Sequence, residues 1–234
     1  MQWKEVREML NEWRMEAKGD TLELRIYDTV EKDTWYKQSE TSAKHIAQMI
    51  EEHADAKEIK VYINSLGGSC MEGIAIYNQL KRHSAKKTVY VDGFACSIAS
   101  VIAMAGDKVI MPKNTCMMIH NAWALVMGNS KELRKAADDL EVVNNAAVMA
   151  YLDRAGGKLS KEKLAELMDA ETYLTADQCI EYGLADAHSE TDDADTTDDG
   201  PKQKLTADVA AQQAVEEEMK RRHEKCMAVI NKYL

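Results

Sequence analysis

The chain has 234 residues, 45% of them hydrophobic and 30% charged, with a net charge of −10. That length and composition suit one globular domain with an appendage, and the acidic balance argues against nonspecific binding to nucleic acid or to anionic membranes. No apolar run reaches the length of a membrane span and the opening MQWKEVREML lacks a signal-peptide core, so the expected compartment is the cytoplasm.

Residues 1–20 form the first expected unit. Trp3, Val6, Met9, Leu10 and Trp13 recur at helical spacing and predict a helix over Met1–Lys18. A larger body follows over residues 21–188. Alternation of Leu22, Leu24 and Ile26 predicts a strand over Thr21–Val30. Thr41–Glu52 reads as a helix. Ile59–Ile63 reads as a strand with apolar residues on both faces, as in a buried parallel sheet. Met71–His83 is the next helix and Lys87–Val91 the next strand. Gly93 permits a sharp turn there, ahead of a small-residue helix over Ile98–Ala105 and a strand over Cys116–Ile119. The alternation predicts an α/β fold with a mainly parallel sheet and βαβ crossovers.

Between Met127 and Gly157, Leu133, Ala136, Leu140, Val143, Ala147 and Tyr151 recur every three or four residues, predicting one long helix stopped by Gly156-Gly157. Ser160–Met168 is a short helix, Thr172–Leu174 a strand and Thr175–Tyr182 a helix. Leu184–Asp186 is expected to be the last strand of the body. Residues 189–204 then turn acidic (SETDDADTTDDG), too poor in apolar residues to offset the entropy of ordering, and read as a solvated linker. Residues 205–234 carry Val209, Ala210, Ala214, Met219, Met227, Ile230 and Leu234 on a charged helical tail, expected to bind a partner or itself.

Three stretches carry chemistry. The apolar strand IKVYINS runs into Leu66-Gly67-Gly68-Ser69, and adjacent glycines let backbone N–H groups point at a ligand. Ser97 stands at the start of a helix, beside unpaired amides and the positive end of the helix dipole. His120 closes the run Cys116–Ile119. Serine and histidine so placed are parts of a nucleophilic hydrolase, although a packing serine and a half-buried histidine would present the same two letters. Cys96, beside Ser97, is a competing thiol. The five cysteines (Cys70, Cys96, Cys116, Cys179, Cys226) include no CxxC pair, which fits reduced thiols rather than a disulfide framework or a zinc site.

Together INSLGGS-MEG, GFACSIAS, MPKNTCMMIHNA and TYLTADQCIEYGLAD resemble the Clp protease proteolytic subunit (ClpP) family, and most closely its phage and prophage head-maturation relatives. The resemblance covers roughly Thr21–Asp186. It implies a ClpP/crotonase-like fold, with the long helix projecting from the body to pair two rings. It implies Ser97 as nucleophile, His120 as general base, and the amides of Gly68 and Ile98 as the oxyanion hole. The family's aspartate aligns with Glu171, with Asp169 as the alternative acid. Gly67, Ser69 and Asn121 border the implied groove for an extended peptide; Ser69 itself reads as a turn residue. Leu66 stands where the family commonly has proline.

The implied activity is peptide-bond hydrolysis inside a homo-oligomeric ring or stacked rings, acting on polypeptides such as capsid or scaffold proteins, without metal or cofactor. The chain has no GxxxxGK[ST] motif, so an AAA+ unfoldase partner would have to supply any ATP use. Two other readings stand beside it: a catalytically silent ring subunit, and a crotonase-type acyl-CoA enzyme of the same fold.

Overall fold

Alternating burial along the first strand sets the sheet. In β1 (Thr21–Tyr27), Leu22, Leu24 and Ile26 point into the core while Arg25 and Tyr27 are exposed. The computed structural model describes residues 20–34 and 39–189. The expected N-terminal helix, the acidic linker from residue 190 onward and the C-terminal helix lie outside them. β1 stops before the expected Val30 because Asp28 takes φ 93° and breaks the extended run. Val30 rejoins the sheet through an isolated parallel bridge to Gly68.

β2 (Glu58–Ser65) and β3 (Lys86–Cys96) follow in parallel, giving the order β1-β2-β3-β5-β6. β4 (Lys108–Ile110) and β5 (Cys116–Ile119) both run parallel to β3, one after the other along its length. β6 (Thr172–Thr175) closes the sheet antiparallel to β5. The expectation that β2 is apolar on both faces needs correction. Ile59, Val61 and Ile63 are buried, but the other face carries Lys60 and Tyr62, both half-buried. There Tyr62 stacks on Tyr90 with ring centroids 5.2 Å apart, and the Arg25 guanidinium lies 5.2 Å from the Tyr62 ring centre.

Gly93 makes no turn. β3 runs straight through it to Cys96, and the register shifts instead between Ile63 and Ser65, so that Ser65 pairs with Ala95. The missing side chain at Gly93 serves close approach: a Cβ there would lie 2.5 Å from Asn64 Oδ1, which accepts from the Phe94 N–H.

Among the described residues, helices α1 (Ala43–Glu52), α2 (Cys70–Arg82), α3 (Ile98–Ala103), α4 (Ser130–Ala155), α5 (Lys161–Asp169) and α6 (Ala176–Glu181) link and cover these strands. Ser42, Ser69, Asn129, Ser160 and Thr175 each N-cap a helix through the side chain, worth about 1 kcal/mol apiece. All six residues of α3 are buried; interring Ile98, Val101 and Ile102 stabilises by roughly 1.5–3 kcal/mol each and fixes this short helix behind β3 and β5.

The long helix α4 ends at Gly156, whose φ of 58° is the left-handed stop that the glycine pair predicts. Its stripe grades along its length. Leu133 is exposed, Ala136, Leu140, Val143 and Ala147 are half-buried, and Tyr151 is 1% exposed. The start of the helix therefore stands off the body while its end is anchored in the core. Leu184–Asp186 is not a strand. The backbone there meets the sheet through Asp186 N–H to Val109 O, Met111 N–H to Ala187 O and a bridge between Ile110 and Ala187. Asp186 is occupied by an ion pair with Arg154 and by the Val109 N–H, which ties this segment to α4. No helix among the described residues is long and apolar enough to cross a membrane.

Candidate active site

The ladder between β3 and β5 brings the site together. Cys96 pairs with Met118 in parallel register, and the next amide, Ser97 N–H, donates to Met118 O at 2.8 Å. His120 leaves the end of β5 two residues beyond Met118. A strand-end serine and a strand-end histidine are thus set side by side by two adjacent parallel strands. His120 Nε2 lies 2.7 Å from Ser97 Oγ.

Ser97 stands at a bent corner. Its φ of 53° and ψ of −129° are costly for any residue with a Cβ, by about 1–3 kcal/mol. It occupies the N-cap position of α3, yet its side chain caps nothing, so the hydroxyl is left to meet His120. A strained serine corner held by a strand and a helix is also the geometry of the nucleophile elbow in α/β-hydrolases.

The glycine loop presses against this corner. A Cβ on Gly67, whose φ is 94°, would lie 2.7 Å from Ser97 Cβ and 3.2 Å from Ile98 N. The loop is braced from behind by Val30 N–H to Gly67 O, Ser69 N–H to Val30 O, and Ser65, whose hydroxyl donates to Asp28 O and accepts from Gly67 N–H. Gly68, at φ 149°, has room for no side chain, since a Cβ would sit 2.2 Å from Val30 O. Among the described residues, neither the Gly68 N–H nor the Ile98 N–H is taken by a protein acceptor. Both are available to an anionic oxygen. Ser69 caps α2 by accepting from Glu72 N–H, which makes it a structural turn residue.

Burial lowers the pKa of His120 below its ordinary 6.5, while the negative charge of Glu171 pulls it back up. Glu171 is exposed, and among the described residues it makes no hydrogen bond to the imidazole; it acts through space. Its φ of 49° places it at the tight corner between α5 and β6. Asp169 is engaged elsewhere: Asn121 Nδ2 donates to Asp169 Oδ1 at 2.7 Å.

The composition left three partners unmarked. Asn144 on α4 donates to Asn121 Oδ1 at 2.8 Å and accepts from Ala122 N–H at 3.0 Å, pinning the segment that follows His120. Tyr151 and Ser100 form the second and third, joined at 2.7 Å behind Ser97. Their sequence signals were polar atoms inside apolar stretches: a hydroxyl within IASVIA, and a phenol within the α4 stripe. Val143, Ala147 and Tyr151 from that stripe, with Cys70, Ile74 and Val101, line a small recess that opens beside Ser97 and His120.

Cys96 is not a rival nucleophile. It is buried, and desolvation pushes its thiol up to about 12. Among the described residues, Cys70, Cys96, Cys116 and Cys179 form no disulfide.

A strained serine on a parallel sheet, an imidazole against its hydroxyl and a glycine loop with two available amides thus stand together at one corner of the fold. The Clp protease family model matches residues 26–191, and the chain belongs to that family. It is 32% identical over 133 residues to the ATP-dependent Clp protease proteolytic subunit of Deinococcus radiodurans, covering 56% of this chain and 64% of that protein. The protein of the same name from Ligilactobacillus salivarius is 34% identical over 133 residues, covering 56% and 66%. That of Pleurastrum terricola is 31% identical over 134 residues, covering 56% and 67%. The matched stretch spans slightly less than two thirds of the first two relatives.

Proposed function

We propose that this protein is a ClpP-type serine endopeptidase. The observation that carries the reading is the 2.7 Å contact between His120 Nε2 and the Oγ of a serine held in a left-handed corner. Ser97 Oγ attacks the scissile carbonyl while His120 Nε2 accepts its proton. The resulting alkoxide is held by the N–H groups of Gly68 and Ile98. The imidazolium then protonates the leaving amine, and water attacks the acyl-serine by the same route in reverse. Glu171 stabilises the imidazolium by its charge. The lowered pKa keeps His120 neutral, and so competent as a base, near pH 7.

The substrate binds extended between the 66–71 loop and the segment after His120, its backbone pairing with theirs. The recess beside Ser97 receives an apolar side chain, since Ile74, Val101, Val143 and Ala147 offer it no charge. The chain assembles with copies of itself into a ring or stacked rings, using the exposed start of α4, and an AAA+ unfoldase delivers folded substrates. The resemblance to phage and prophage relatives extends the substrate class to capsid or scaffold proteins.

Turnover of a fluorogenic peptide with a leucine or methionine before the scissile bond tests the reading. Wild type releases the fluorophore and Ser97→Ala does not, while native mass spectrometry reports a multiple of the chain mass. The second reading, a silent ring subunit, is favoured by one observation: the exposed Glu171 makes no hydrogen bond to His120. A ring-sized assembly without turnover in either variant would favour it.

A further inference from the structure

Behind the reacting face, a second hydroxyl pair holds the corner on which Ser97 sits. Tyr151 on α4 is 1% exposed and Ser100 on α3 is fully buried. Tyr151 Oη lies 2.7 Å from Ser100 Oγ, and Ser100 Oγ lies 2.5 Å from Ser97 O. The direction of these bonds follows from what each atom carries. A carbonyl oxygen can only accept, so the one hydrogen of the Ser100 hydroxyl goes to Ser97 O; the bond to Tyr151 must then use the phenol hydrogen. The chain is Tyr151 O–H to Ser100 O–H to Ser97 C=O, each bond polarising the next in a dry interior.

Ser97 O also accepts from the Ser100 N–H at 3.0 Å, and Ser97 N–H is taken by Met118 O at 2.8 Å. Both the N–H and the C=O of Ser97 are thus clamped while its side chain is left to His120. A backbone at φ 53° relaxes unless its surroundings determine it. The Tyr151 ring also walls the recess beside Ser97, and Tyr151 lies on the helix whose start stands off the body.

We propose that Tyr151, acting through Ser100, is a positioning residue that locks the nucleophile corner and ties the reactivity of Ser97 to the seating of α4. The proposal rests on the serine-hydrolase reading above.

The test is the second-order rate of inactivation by a small fluorophosphonate, measured well below the melting temperature, together with kcat and KM on one peptide. Tyr151→Phe keeps the ring and removes only the hydroxyl. It is expected to lower the labelling rate and kcat about tenfold, as small misplacements of a nucleophile do, with KM within about twofold. Ser100→Ala is expected to match it and carries the same test if Tyr151→Phe does not fold. Because the two hydroxyls act as one chain, the double variant is expected to label no more slowly than the slower single variant. Wild-type labelling rates in Tyr151→Phe and Ser100→Ala, with only their melting temperatures reduced, would reduce the pair to packing and overturn the proposal. Losses that multiply in the double variant would do the same. Absence of labelling in wild type, matched by Ser97→Ala, would instead overturn the hydrolase reading on which the proposal stands.

Discussion

Asp169 is held by Asn121, not by His120: Asn121 Nδ2 donates to Asp169 Oδ1 at 2.7 Å while Asn144 donates to Asn121 Oδ1 at 2.8 Å. The two acids of the α5–β6 corner therefore have separate tasks. Asp169 fixes the chain after His120, and Glu171 supplies negative charge to the imidazole. Glu171→Gln is expected to lower kcat by about tenfold, less than loss of a buried, hydrogen-bonded triad acid, because an exposed charge is screened by solvent. Asp169→Asn keeps an acceptor oxygen for Asn121 and is expected to cost less than about threefold. Steady-state kinetics on both variants decide the assignment; the reverse ranking would transfer the role to Asp169.

The pH profile follows from the same residues. Burial depresses the His120 pKa and Glu171 raises it. With the neutral imidazole as the proposed base, kcat/KM is expected to be full above the folded-state pKa and lost as pH falls through it. The midpoint of the acid limb is expected below 6.5, the ordinary histidine value, since burial outweighs Glu171. Glu171→Gln removes the raising contribution and is expected to move that limb to lower pH. A limb that stays put, or moves up, would show that Glu171 has no electrostatic hold on the ring.

Gly67 is expected to tolerate no side chain. Its φ of 94° and the 2.7 Å approach of a Cβ to Ser97 Cβ mean that Gly67→Ala must push the glycine loop off the serine. Loss of oxyanion geometry predicts a fall in kcat of about 10²–10³, with a lower melting temperature besides. Ordinary kinetics alongside a thermal melt separate the two effects, since the activity loss persists at temperatures where the variant is folded.

Ser97→Gly is expected to inactivate and to stabilise. A glycine at φ 53°, ψ −129° escapes strain worth about 1–3 kcal/mol, partly offset by the greater freedom of the unfolded glycine chain. A net gain of about 1 kcal/mol corresponds to roughly 2–4 °C in Tm for a domain of this size. Differential scanning calorimetry checks it against Ser97→Ala, which keeps the Cβ and is expected to melt near wild type. Equal melting of the two variants would mean that the corner is unstrained.

Which of these features could be read beforehand depends on how local their cause is. The stop at Gly156, the helices that start at Ser160 and Thr175 and the parallel order of β1 to β3 follow from neighbouring residues, and all were legible. Ser97 and His120 were legible as a serine at a helix start and a histidine at a strand end. Their contact required the pairing of Cys96 with Met118, which no local pattern encodes. Gly93 misled because glycine marks both a turn and a close approach, and only the position of Asn64 distinguishes them. The α4 stripe was legible as a helix, but one periodic pattern serves both an exposed start and a buried end, and only the fold shows that the buried end lines the recess beside Ser97. Leu184–Asp186 was expected as a strand, but its backbone makes one bond to β4, from Asp186 N–H to Val109 O, while the Asp186 carboxylate takes Arg154 and the Val109 N–H.

The central claim is that His120 activates Ser97, and the most direct measurement of it is intact-mass and peptide mapping after exposure to a fluorophosphonate. The expected result is one adduct per chain on Ser97 in the wild type, none in Ser97→Ala, and a labelling rate lowered by about 10²–10⁴ in His120→Ala, the range for loss of a general base. An adduct on another residue, or unchanged labelling in a folded His120→Ala variant, would contradict it.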